Sequence, residues 1–144
     1  MDKNDNATII MVGKELQRVA IENGAAIAYI DVYKMLYPSS DSDKRPNNIP
    51  LHKIRYIGAL LGEVSAYTYS NYGIFLSSFV CRKGKPLFPG DGYFQMVHEN
   101  DPTIKIPAKE EKEMRRKLVE KHQNEASEFC KNKSALFRNY PNKN

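Results

Sequence analysis

The stretch IFLSSFVCRKGKPLFPGDGYFQMV, residues 74–97, decides how the rest of the chain is read. From Ile74 to Arg82, Phe75, Ser77, Phe79 and Cys81 alternate with Ile74, Leu76, Ser78 and Val80, a period of two that sends successive side chains to opposite faces of a strand. A polar, glycine-rich tip follows, RKGKPLFPGDG, and Tyr93 to Val97 returns as a second strand. Residues 74–98 are therefore expected to form an antiparallel hairpin with a long basic loop.

Working back from the hairpin, Leu51, Ile54, Ile57, Leu61, Val64 and Thr68 recur every three or four residues. That spacing predicts a helix over 50–71, with Pro50 suited to its first turn and Asn71 to Gly73 at its end. The opposite side carries His52, Lys53, Arg55 and Tyr56, then Gly58, Gly62 and Ala66 at four-residue spacing. Two glycines inside a helix cost about 1 kcal/mol each relative to alanine, so a close approach by another helix is expected there. Residues 38–50, PSSDSDKRPNNIP, are rich in proline and turn-forming residues and read as a loop. Ahead of them, Ile30, Tyr33 and Met35-Leu36 suggest a helix over 29–37 ended by Pro38, and Ala25 to Ala28 one brief strand. Ile9, Val12, Leu16, Val19 and Ala20 predict a first helix over 7–22.

After the hairpin, residues 101–107 read as an extended linker with Pro102 and Pro107. Ala108 to Lys131 reads as a charged helix whose narrow apolar stripe, Met114, Leu118, Ala126 and Phe129, would dock late or against a partner. Residues 132–144 read as a basic, flexible tail.

The chain has 144 residues and a formal net charge of +5, which composition alone makes unremarkable. Its distribution is more telling. Residues 44–90 carry Lys44, Arg45, Lys53, Arg55, Arg82, Lys83 and Lys85 against one acid, Glu63. Residues 1–43 and 91–107 are net acidic, 108–130 balance, and 131–144 carry four basic residues and no acid. Blocks of one sign suggest a field oriented toward an anionic partner. With no run of about 18 apolar residues and no basic-then-apolar start, the chain reads as cytoplasmic, with no membrane partner. Cys81 and Cys130, without CxxC spacing, read as reduced thiols.

In order, the expected elements are helix, short strand, helix, loop, longer helix and hairpin with a basic tip. This order resembles the winged helix-turn-helix, with AIAYIDVYKML as the first helix of the motif, the helix after Pro50 as the second and SSFVCRKGKPLFPGDGYFQMV as the wing. Residues 25–36 and LSSFVCRKGKPLFPGDGYF are loosely similar to small bacterial and phage alkyltransferase-like winged-helix proteins, but the active Pro-Cys-His-Arg motif is absent. The fold class so implied is α+β: three helices plus a β-hairpin wing over 1–100, with an added C-terminal helix. In such a fold the second motif helix enters the major groove and the wing reaches a neighbouring groove or the backbone. The resemblance then assigns nucleic-acid contacts to Lys44, Arg45, His52, Lys53, Arg55, Tyr56, Arg82, Lys83 and Lys85. Arg55, Asn47 and Asn48 are candidates for base contact. Tyr56, Tyr67, Tyr69 and Tyr72 raise a second mode, stacking of unpaired bases.

Enzyme chemistry finds little footing. His52, His98 and His122 stand apart, and no HxH or HxxxH pattern joins them. Asp91, His98, Glu99 and Asp101 form the one acidic cluster with a histidine, the residue types of a metal-dependent nuclease but also of a sharp turn. Ser77-Ser78 lacks a glycine elbow, and Pro89 to Gly92 reads as lacking the strand and helix of a phosphate loop. The expectation is thus a non-enzymatic DNA-binding protein without cofactor or metal, regulatory or accessory in a bacterium or mobile element. It would dimerise or dock a partner through its C-terminal helix. The alternative is a protein-binding winged helix that offers its glycine face and narrow C-terminal stripe to another protein, such as an inhibitor or adaptor of a nucleic-acid enzyme.

Overall fold

In a computed structural model, residues 6–22, 26–38, 49–85, 87–133 and 135–141 are described. The first helix, α1 (Asn6–Ile21), buries Ile9, Val12, Leu16, Val19 and Ala20, the stripe its spacing predicts. A two-residue strand, β1 (Ile27–Ala28), leads directly into α2 (Tyr29–Leu36). The Asp31 carboxylate accepts from the Ala28 backbone N–H at 2.8 Å, which satisfies one orphan donor of the helix start. The long helix α3 (Leu51–Tyr72) buries Ile57, Leu60, Leu61, Val64 and Tyr67. It ends where Gly73 takes φ of 73°, a left-handed cap whose N–H reaches the Tyr69 carbonyl.

Beyond α3 the expected hairpin is not formed. Leu76–Phe79 is a 3₁₀ turn, and only Val80–Cys81 is a strand, β2. It pairs in parallel with β1, Ile27 opposite Val80 and Ala28 opposite Cys81. Every residue from Ile74 to Cys81 is buried, so the alternation that suggested a strand does not mark two distinct faces. Two serines explain the turn: Ser65 Oγ on α3 lies 2.6 Å from Ser77 Oγ and accepts the Ser77 N–H at 3.0 Å, binding the 3₁₀ backbone to the helix. Thr68 Oγ1 likewise donates to the Ile74 carbonyl at 2.8 Å. The Ser77 N–H and hydroxyl, within a nonpolar run, are thereby satisfied without a ladder.

The second expected strand is a helix, α4 (Asp91–Asn100). Gly90 is its N-cap and Asp91 places an acid in the first turn, while Tyr93, Phe94 and Val97 bury one helical face. A helix does therefore follow Pro89-Gly90, contrary to the reading of that motif, although a turn and not a strand precedes it. The last helix, α5 (Lys112–Lys131), starts four residues later than expected. Much of its expected stripe packs within the fold: Ala126 is buried, Leu118 and Phe129 are half-buried and Met114 is open, while Val119 and Cys130 beside the stripe are buried as well.

The described residues are mostly helical with one small parallel sheet. One core joins α1, α2, α3, the 3₁₀ turn and α5; a second, smaller one packs Phe75, Tyr93, Phe94, Val97 and Val119. Ile104 and Ile106, within the expected linker, pack half-buried on the second core. The expected tail also departs from its reading, since Leu136 and Phe137 are each 2% exposed and belong to the main core. Tyr67 and Tyr72 donate to the Leu136 carbonyl at 3.1 and 2.9 Å, and Phe137 stacks on Tyr67. Among the described residues no helix is long and apolar enough to cross a membrane.

Candidate functional site

The expected site residues part company in the structure. Lys44, Arg45, Asn47 and Asn48 lie outside the described residues. His52 and Arg55 are exposed on the first turns of α3, and Tyr56 is half-buried. Lys53 is turned inward over α2, its Nζ 4.2 Å from the centre of the Tyr37 ring and 5.6 Å from that of Tyr33. A cation held on two aromatic faces braces α2 against α3.

Arg82, Lys83 and Lys85 stand exposed on a tight turn rather than on a long wing. The Lys85 N–H donates to the Arg82 carbonyl at 2.9 Å, the Phe88 N–H to Lys85 at 2.9 Å, and the Arg82 N–H to Phe88 at 3.0 Å. Gly84 supplies the left-handed residue this turn needs, with φ of 76°. The turn is moored from below, because the Gly90 N–H donates to the Tyr29 hydroxyl of α2 at 3.1 Å.

This turn forms one wall of a cleft of about 450 Å³ whose other wall is the segment entering α5. Arg82 and Lys85 line it from one side, and Lys109, Lys112, Arg115 and Arg116 from the other. One carboxylate, Asp91, faces these six cations, and Leu87, Phe88, Pro89 and Phe94 supply apolar wall. None of the four described α3 candidates lines it, nor does Lys83. Lys109, Lys112, Arg115 and Arg116 are the functional candidates missed in the sequence. A block sum of zero over 108–130 concealed them, although their spacing of three to four residues is that of one helical face.

Arg115 is the best-fixed group in the cleft. Its side chain is 15% exposed, its Nε donates to the Pro107 carbonyl at 2.9 Å, and its guanidinium carbon lies 4.2 Å from the centre of the Phe94 ring. Asp91 completes the arrangement, 3.3 Å from Arg115 Nη1 and 3.3 Å from Lys109 Nζ. The Lys109 ammonium, with Arg115 and Arg82 behind it, holds the Asp91 carboxyl below the usual carboxylate range. Asp91 thus stays charged and orients two cations while neutralising only part of the site. Arg116 is drawn toward Glu113 in a forked pair.

No protein-family model, curated protein or solved structure matches this chain. What the cleft can do must be read from its chemistry. Cations brought together from 82–85 and 109–116 repel one another, and a bound anion relieves that repulsion.

The remaining candidates have other occupations. Asp101 accepts from Tyr69 and from Thr103, which closes the end of α4. Asp91 and His98 lie seven residues apart on α4, about 10 Å of helical rise, too far to share an ion. Among the described residues no three His, Cys, Asp or Glu side chains are grouped to hold a metal. His122 is buried with its Nδ1 2.7 Å from the Tyr93 hydroxyl, and burial, reinforced by Lys121, lowers its pKa to about 4. Cys81 and Cys130 are buried as well, their pKa values raised by burial to about 12 and about 11. Neither is an activated nucleophile.

Tyr67, Tyr69 and Tyr72 are structural rather than stacking platforms: Tyr67 and Tyr72 bind Leu136, and Tyr69 lies flat on Phe75 at 4.3 Å. Gly58 and Gly62 do not mark a close helix crossing either. With Gly92 of α4 they border a small cavity of about 140 Å³, and a Cβ on either α3 glycine would meet nothing within 4 Å.

Proposed function

We propose that the protein is a non-enzymatic nucleic-acid-binding protein whose contact with the phosphate backbone is made by the cleft between the 82–89 turn and the start of α5. The observation that carries this reading is the convergence of six cations from two separate segments on one concavity holding a single carboxylate. Lysine and arginine side chains so placed displace counterions from phosphates and supply a sequence-independent, salt-sensitive attraction. Arg115 adds a guanidinium already oriented by Phe94 and Pro107, which lowers the ordering cost of gripping an oxyanion. In this reading the basic turn keeps the role expected of the wing, while its partner surface is α5 rather than α3. The rival reading, a protein-binding module, relied on the glycine face of α3 and the apolar stripe of α5; Leu118, Ala126 and Phe129 of that stripe pack within the fold, while a Cβ at Gly58 or Gly62 would meet nothing within 4 Å.

The test is a fluorescence-anisotropy titration of labelled DNA, duplex and single-stranded, between about 50 and 200 mM salt. Each phosphate contact contributes roughly 0.7 to 0.9 to the log–log salt slope, so Lys85→Ala, Lys109→Ala, Lys112→Ala and Arg116→Ala combined should flatten it by about 3. A paired variant, His52→Ala with Arg55→Ala, should leave affinity and slope near wild type. The opposite pattern would return the interface to α3, and an unchanged slope in both would remove backbone binding from the account.

A further inference from the structure

We infer that the nucleic acid this cleft accepts is an unpaired strand, with a base laid against Phe88 and the chain continuing past Arg115 into the neighbouring depression. The inference rests on the proposed backbone binding and specifies which form of nucleic acid the site takes.

Phe88 is the first observation. It is half-buried and belongs to neither hydrophobic core, yet it lines the cleft between Leu87 and Pro89 and in company with Lys85 and Lys112. An aromatic side chain of this kind beside cations is the usual platform for an unstacked base, and every base has a face to offer it. In a duplex the base faces are covered by their neighbours, so this wall has nothing to contact there.

Shape is the second. Proteins that read a duplex push a helix or ribbon into a groove, whereas the cations here line a hollow. At about 450 Å³ it falls among cavities that enclose a small molecule, the size of a nucleotide or so.

Continuity is the third. A second depression, of about 620 Å³, lies along α4 and the 102–106 segment and shares Asp91, Phe94 and Arg115 with the cleft. Gln95, His98, Thr103 and Lys105 line it, a mixed set of donors and acceptors with one further cation. The Arg115 guanidinium, which lines both hollows, spends Nε on Pro107 and Nη1 on Asp91, and a guanidinium carries five N–H donors in all. A phosphodiester bridging two nucleotides is the group such a junction suits, with one base toward Phe88 and the next toward Gln95 and His98. An acidic peptide would use the cations but has no need of the aromatic wall.

The chain contains no tryptophan, which makes the test direct. Phe88→Trp preserves a stacking face and installs a single reporter, whose fluorescence should be quenched on adding a twelve-nucleotide thymidine strand and not on adding a matched duplex. Phe88→Ala should weaken the single strand about tenfold and leave duplex binding within twofold, at an unchanged melting temperature. A strand at least tenfold tighter than both duplex and thymidine monophosphate supports the extended track. Duplex binding equal to or tighter than single-strand binding, with the four-site cleft variant weakening both, overturns this inference and leaves backbone binding standing. Polyglutamate competing as well as the strand also overturns it. Failure of every nucleic acid to bind overturns both.

Discussion

Alanine at Gly13 should destabilise this protein, although alanine is the better helix former by about 1 kcal/mol. Gly13 is inside α1, and a Cβ built there would lie 2.3 Å from Cζ of Phe137 and 2.5 and 2.7 Å from its two Cε atoms. Carbon atoms rest comfortably at about 3.5 to 4.0 Å, so the ring must retreat by about 1 Å or more. Phe137 is 2% exposed and stacks on Tyr67 with ring centres 5.3 Å apart, so its retreat displaces the core. Overpacking costs about 1 to 3 kcal/mol, and contacts as short as 2.3 Å belong to the upper part of that range, about 2 to 3 kcal/mol, which leaves a net loss of about 1 to 2 kcal/mol after the propensity gain. For a chain of this length that is roughly 3 to 7 °C in melting temperature. Thermal melts followed by circular dichroism would measure it, alongside Phe137→Leu and the double variant. Because leucine lacks the ring atoms that clash, the double variant should fall short of the sum of the two single losses. If Gly13→Ala instead raised the melting temperature by the propensity gain, the docking of residues 135–141 onto α1 would be refuted.

Three other expectations follow from buried groups. His122 is neutral in the fold, its pKa lowered from 6.5 to about 4, so the stability it supports is complete above pH 6.5 and falls as pH drops toward 4, by about 3 kcal/mol at most. Urea melts at pH 7 and 4.5 should show a shallower loss for His122→Asn than for wild type, and parallel losses would contradict its buried, neutral state. Ser65→Ala leaves the Ser77 N–H and hydroxyl without their partner inside the core, and should cost about 1 to 3 kcal/mol in chemical denaturation, whereas a silent change would show that the 3₁₀ turn does not depend on that bond. Cys81 and Cys130, both 1% exposed, should resist a thiol reagent in the native protein and react in denaturant; rapid native labelling would place at least one of them at the surface.

The first three helices and the short first strand were legible because their apolar residues repeat with a single period and clear stop signals flank them. Gly73 is such a signal, and α3 ends against it. The 74–97 region misled for two separate reasons. Its first half is buried on all sides, where alternation carries no information about faces, and Ser65 supplied from α3 a partner that local pattern does not reveal. Its second half contained a readable helix: Gly90 and Asp91 at the start, then Tyr93, Phe94 and Val97 at helical spacing. Pairing it with the preceding segment as a hairpin overrode that signal. The basic turn was legible as a charge block, yet the opposite wall was not, since Glu110, Glu111 and Glu113 cancel Lys109, Lys112 and Arg116 in any sum along the chain. Only the fold shows that Lys109, Lys112, Arg115 and Arg116 line the cleft while none of those glutamates does, although Glu113 still pairs with Arg116. The seat of Leu136 and Phe137 was equally hidden, because its counterpart is a missing side chain at Gly13, more than a hundred residues away.

That seat bears on how the molecule reaches its native state. Proteins made of helices usually fold quickly, because most of their contacts join residues near one another in the chain. Here the bond from the Leu136 N–H to Gln17 Oε1 spans 119 positions, those from Tyr67 and Tyr72 to Leu136 span 69 and 64, and the one from Gly90 to Tyr29 spans 61. Individual helices can form in about a microsecond, but the contacts that hold them await the closure of large loops. Its kinetics should therefore be those of a topologically remote fold, slower than its helical content would suggest.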